Sequence, residues 1–319
     1  MTMPHRQLLV VGLLLWGITS WSFAQKPKAV VKRAQPPKFE KSDPFFANAF
    51  EGGLSGSRPA DLGKAVMAAV GPAVGATPNG SSGGSSSVGG WAALISSTVL
   101  EDEIKAQKLG AEKSITTPTD FTSNGYKFAR REFSVAAMVF AIIAEYDGEV
   151  RFKKEALTLR DNFARTAANA KVGTTGVYNE SKVRKTDLEN LLSGQGVELR
   201  TDVDPKSNWV QICNRTPLMQ RLDLSRDEKI KAWSAGKAEF TANLEALEHE
   251  AQVFAVIGAV LAKEGMESAD DAEYVKWAKM LQEGGTGLAK ACRDKNLDDA
   301  GKAVVLITNS CEKCHEGYR

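Results

Sequence analysis

The tightest constraint on this chain is that it repeats itself. Trp91 returns as Trp209, 118 residues later. The same offset pairs Thr98 with Thr216, Leu100 with Leu218, Glu132 with Glu250, Val135 with Val253 and Ala137 with Ala255. It continues through Ala141 and Ala259, Ala144 and Ala262, Glu155 and Glu273, and Leu188 and Leu306. Phe121-Thr122 matches Phe240-Thr241 at 119, a slip of one residue that is compensated on either side. A shared helical composition produces scattered coincidences. It does not hold tryptophans, a Thr at a helix start and a run of core alanines in one register, so the pattern reads as a duplication.

Within each copy, apolar residues recur at three and four, the period of a helix with one buried face. Phe128, Phe133, Val135, Met138, Val139 and Ile142 mark a helix ending near Tyr146. Phe152, Leu157, Leu159 and Phe163 mark another, and Leu188, Leu191 and Leu192 a third. In the second copy, Thr216 is the expected N-cap with Pro217 at the first helical position. That helix should continue in pieces to Trp233. A single helix is expected from about 237 to 263, and a third from just after Asp270 to about Arg293. Gly284, Gly285 and Gly287 are expected to kink or split the third. A fourth runs from about Leu297 into the end of the chain. No segment alternates with period two. The expected architecture is all-α, two tandem four-helix-bundle-like repeats over 91–205 and 206–319, following a disordered N-terminal tail.

The N-terminus has a different character. Arg6, the apolar run Leu8 to Ile18 and Ser22-Phe23-Ala24 have the layout of a secretory signal over 1–24, too short for a comfortable membrane span. Export, to a periplasm or beyond, is therefore expected, with membrane attachment only if the segment stays uncleaved. Residues 25–90 are first rich in Lys and Pro, then in Gly and Ser, and read as a disordered linker. They carry one apolar island from Asp43-Pro44-Phe45-Phe46 to Phe50. Lys+Arg 41 nearly balances Asp+Glu 39, which gives no reason to expect nucleic-acid binding.

The chain ends on Cys311-Glu312-Lys313-Cys314-His315, a C-x-x-C-H motif. Two thiols about one helical turn apart reach the two vinyl groups on one edge of a porphyrin, and the next residue offers an imidazole to the iron. The competing readings are a redox dithiol, a zinc site and a plain disulfide. A redox dithiol sits between a strand and a helix, which this chain lacks. Zinc asks for four ligands, and only the distant Cys213, Cys292 or His249 could complete a set. One covalently bound haem c is the expected cofactor. The copy of the motif 118 residues earlier is Ser193-Gly194-Gln195-Gly196-Val197, with neither thiol nor imidazole, so a single haem is expected.

Only Glu316-Gly317-Tyr318-Arg319 follows the motif. This tail, from Leu297-Asp298-Asp299-Ala300 onward, resembles the last helix of the cytochrome c prime family, the class II c-type cytochromes. The resemblance covers about Trp209 to Arg319 and is specific only in the last twenty or so residues. It implies a four-helix bundle in which Cys311 and Cys314 form thioethers, His315 is the proximal iron ligand and Arg319 lies near the haem edge. In that family the residue on the far side of the iron comes from the first helix, which makes Met219 the candidate distal ligand. A methionine there suits electron transfer with a redox partner protein. An apolar far side leaves an open place for NO or CO and implies a scavenger or sensor. A homodimer is compatible with either.

Cys213 and Cys292 both belong to the second copy and to an oxidising compartment, so either a disulfide or two separately buried thiols is expected. His249, between Glu248 and Glu250, reads as part of a solvated helix face. No Ser/His/Asp set, phosphate loop or carboxylate metal cluster stands out, so a carrier rather than an enzyme is expected.

Overall fold

The structure, a computed structural model, describes residues 90–318. The expected signal segment, the linker up to residue 89 and Arg319 lie outside the described residues. Those described form an all-α fold, with no strand among them.

In the first repeat, α1 spans Ser97–Ser114, α2 Tyr126–Ala144, α3 Ala156–Asn169 and α4 Thr175–Ser193. In the second, α5 spans Arg215–Ser225, α6 Leu244–Leu261, α7 Ala272–Arg293 and α8 Leu297–Gly317. The 118-residue offset survives in three dimensions. It carries the first residue of α1 onto the first of α5, and the first of α2 onto the first of α6. The short helical turns at Trp91–Ala93 and Trp209–Ile212 obey it too.

Side-chain caps fix four of the eight N-terminal ends. Ser96 accepts from the amide of Val99 at 3.3 Å and caps α1. Thr174 accepts from the amide of Val177, also at 3.3 Å, and caps α4. Asp271 caps α7 and Asn296 caps α8. Each cap satisfies an amide that the first helical turn leaves without a partner.

Several expectations need correction. α5 begins before Thr216, so Thr216 lies within its first turn and Asn214 takes the cap position. The helix expected from 237 to 263 breaks at Asn243 into Lys237–Ala242 and α6. Phe128 faces solvent at 45% exposure, covered in part by the Arg131 guanidinium 5.5 Å from its ring centre. Phe152 precedes α3 in a left-handed turn, with φ 66°.

The glycines of α7 do not split it, since the helix runs unbroken from Ala272 to Arg293. Gly284 and Gly285 are buried where neighbouring backbones come closest. A Cβ on Gly285 would stand 2.5 Å from the Ala255 amide nitrogen of α6, and one on Gly284 would meet Ile307 of α8 at 2.7 Å. Their missing side chains are what lets α7 lie between α6 and α8.

The two repeats share one continuous apolar core. α2 packs on α5 across the repeat boundary. Trp91 and Trp209 meet with ring centres 5.6 Å apart, and the ammonium of Lys263 sits 4.8 Å from the Trp91 centre. A residue and its own repeat equivalent therefore touch, as expected when two like units pack about a local twofold.

Candidate functional site

α8 is uninterrupted through the C-x-x-C-H motif. Cys311 and Cys314 are free, half-buried thiols, and His315 is exposed. All three line one apolar pocket near the C-terminal end of α8. α5 contributes Met219 and Leu222 to its walls, α6 contributes Phe254 and Leu261, and α7 contributes Trp277 and Leu281. Four sequence-expected residues, Met219, Cys311, Cys314 and His315, are thus brought to one place by α5 and α8. Arg319 lies outside the described residues.

Burial pushes both motif thiols above the ordinary thiol range, and the cations of Arg226 beside Cys311 and Arg215 beside Cys314 oppose that rise. Arg226 is held by Asp227 at 2.7 Å and by Asp223 at 3.5 Å. The end of α8 is pinned to the start of α7. The Tyr318 hydroxyl donates to Asp271 at 2.6 Å, and its ring meets Tyr274 edge-on with centres 5.2 Å apart.

The residues present fit a c-type haem. Two thiols on one helix face the same apolar space, with an imidazole next in sequence and a thioether on the helix opposite. The free space between these side chains is only about 60 Å³. Met219 and Trp277 are half-buried in its wall, while Leu222, Phe254, Ala278 and Leu281 are buried. Cys311 and Cys314 would hold the macrocycle's edge, and His315 and Met219 would face the iron.

The first repeat lacks more than the motif. α4 stops at Ser193, and Gly194 turns left-handed with φ 78°. No helical turn therefore remains where the thiols would stand. Phe163 stands where the second repeat has the pocket residue Leu281, and Phe140, at the position of Gly258, packs beside it. Both are fully buried and stacked, with centres 5.6 Å apart and planes within 10°.

Cys213 and Cys292 are free buried thiols, so the disulfide alternative is corrected. Burial pushes each to about 12, which keeps both as inert thiols. His249 is corrected too: it is half-buried and its Nε2 lies 2.8 Å from Glu103 Oε1.

That contact belongs to a feature the sequence reading missed, a charged cluster between the repeats. Arg221 donates to Glu103 at 2.7 and 3.2 Å and to Glu250 at 2.9 Å. Lys229 also binds Glu250, and Arg131 binds Glu132. Glu103 and Arg221 are 118 residues apart, as are Glu132 and Glu250. The cluster therefore sits on the local twofold. One sequence signal was available: Glu132 and Glu250 keep the same repeat position, just ahead of the apolar run of each helix.

Among the described residues, no helix is long and apolar enough to cross a membrane. No protein-family model, no curated protein and no solved structure matches the chain.

Proposed function

We propose that this chain is an exported c-type cytochrome with one haem, covalently held by Cys311 and Cys314, that passes electrons to a partner protein. The reading rests on one juxtaposition: both thiols, His315 and Met219 line a single apolar pocket in the second repeat. When bound, haem supplies an iron that alternates between ferric and ferrous states. The chain's own part is to fix that group and set its surroundings. His315 supplies the imidazole, and Leu222, Phe254 and Leu281 keep water from the faces of the ring. Apolar surroundings disfavour the extra charge of the ferric form, so they raise the potential. The first repeat acts as a packing partner.

A second reading follows from Met219 itself. It is only half-buried, and the walls around it are apolar. If its sulfur stays off the iron, the site is five-coordinate and open to NO or CO. The visible spectrum of the reduced protein separates the two. Electron transfer through a methionine-ligated iron predicts a low-spin spectrum that resists CO and turns high-spin in Met219→Ala. A wild-type high-spin spectrum with rapid CO uptake supports the open site and contradicts the carrier.

A further inference from the structure

The two repeats do not pack alike on the two sides of their shared boundary. α2 lies directly on α5, while a groove of about 890 Å³ separates α1 from α6. A cleft of that volume falls in the range that holds small organic molecules. Its floor is the charged cluster, and Val99, Ala106 and Leu109 of α1 give it an apolar wall.

The carboxylates of the floor differ in how well they are served. Glu103 takes two hydrogen bonds from Arg221, one from the Gln107 amide and a contact from His249. Glu250 is held by Arg221 and Lys229. Glu132 has Arg131 alone, the residue beside it in sequence. Burial pushes the Glu132 carboxyl above its ordinary range, and Glu103 adds to the rise against the pull of Arg131 and Arg221.

Gln107 supplies a second, independent observation. It is 2% exposed and lines the groove. Its amide nitrogen donates to Glu103 at 3.1 Å, which fixes the orientation, because a flipped amide would set its oxygen against a carboxylate. The amide oxygen is buried without any hydrogen-bond partner. Gly110 lies one turn further along α1. A Cβ there would stand 2.5 Å from the Glu132 carboxyl carbon, so that carboxyl rests against the bare backbone just beyond Gln107.

Two acceptors short of donors therefore neighbour one another in a cleft with an apolar wall. We propose that this groove binds a small organic ammonium ion, with Gln107 Oε1 and the Glu132 carboxylate as its acceptors. An ammonium carries three donors and no acceptor, and its hydrocarbon portion suits the α1 wall. A metal ion is the poorer match, because among the described residues no group of His, Cys, Asp and Glu could hold one. The site is independent of the haem pocket.

Isothermal titration of the full chain with putrescine tests the site, with 1,4-butanediol as the uncharged control. The expected result is one saturable putrescine site per chain, no saturable heat with the diol, and affinity at least about tenfold weaker in Gln107→Leu and in Glu132→Gln. Circular dichroism checks that each variant is folded, and Gln107→Leu decides the matter if Glu132→Gln is not. Absence of saturable putrescine binding to the wild type, equal binding of the diol, or undiminished binding to folded Gln107→Leu would overturn the proposal.

Discussion

Arg221 shows what single residues contribute here. It is 7% exposed and joins carboxylates from both repeats. Burial works against its charge, but Glu103 and Glu250 outweigh that and hold its pKa above the usual range. Removing one partner of such a group leaves carboxylates buried and unpaired, which costs about 3–5 kcal/mol. Arg221→Ala should lose stability on that scale in urea unfolding. Arg221→Met, which keeps the stem, is expected to remain strongly destabilised, since the lost charge is the cause. The pH dependence follows from Glu103. Burial would raise its pKa, but Arg221 and His249 outweigh this and bring it from 4.5 to about 2. A depressed folded pKa contributes stability that is complete above 4.5 and drains away as pH falls toward about 2. The urea midpoint of the wild type should fall through that window, and Glu103→Gln should flatten the fall. An equally steep fall in the variant would show that other carboxylates set the acid limit. The pairing of Glu103 with Arg221 was not legible beforehand. Glu103 aligns with an arginine rather than with another acid, and a charge that meets its partner 118 residues away leaves no local pattern.

At the scale of elements, the sequence announces helices better than it announces their contacts. The period of three to four placed α2, α3 and α4, and the acidic residues after Asp270 placed the start of α7. The break at Asn243 and the outward turn of Phe128 are tertiary outcomes that no period encodes. The α7 glycines were misread for the same reason: their purpose lies in the helices beside them. Alanine is the better helix former by about 1 kcal/mol, so propensity alone predicts that Gly285→Ala stabilises. Contact with the Ala255 and Ala251 backbone predicts the reverse, a loss of about 1–3 kcal/mol from overpacking. Gly287→Ala is the control, since its Cβ would meet only the Ala303 methyl at an ordinary 3.6 Å. It should be neutral or mildly stabilising in the same unfolding measurement. If both variants stabilise, the close approach of α6 and α7 is not as described.

The whole molecule is a duplicated helical unit that has become asymmetric. One copy keeps a C-terminal helix long enough to carry two thiols and an imidazole beside an apolar pocket. The other ends that helix at a left-handed glycine and has a buried, stacked Phe163 where the pocket has Leu281. The motif and its absence 118 residues earlier were plain in the sequence. The place of Phe163 was not, because it reads only as core until both halves are laid on one fold. The account therefore stands on one stoichiometry. The direct measurement is the mass and alkaline pyridine spectrum of the mature chain, made in a host that attaches c-type haem, followed by mapping of the haem-bearing peptide. The prediction is one haem per chain, covalent, on the peptide containing Cys311 and Cys314, and absent when both are alanine. A mature chain without covalent haem, or with haem on any other segment, would contradict it.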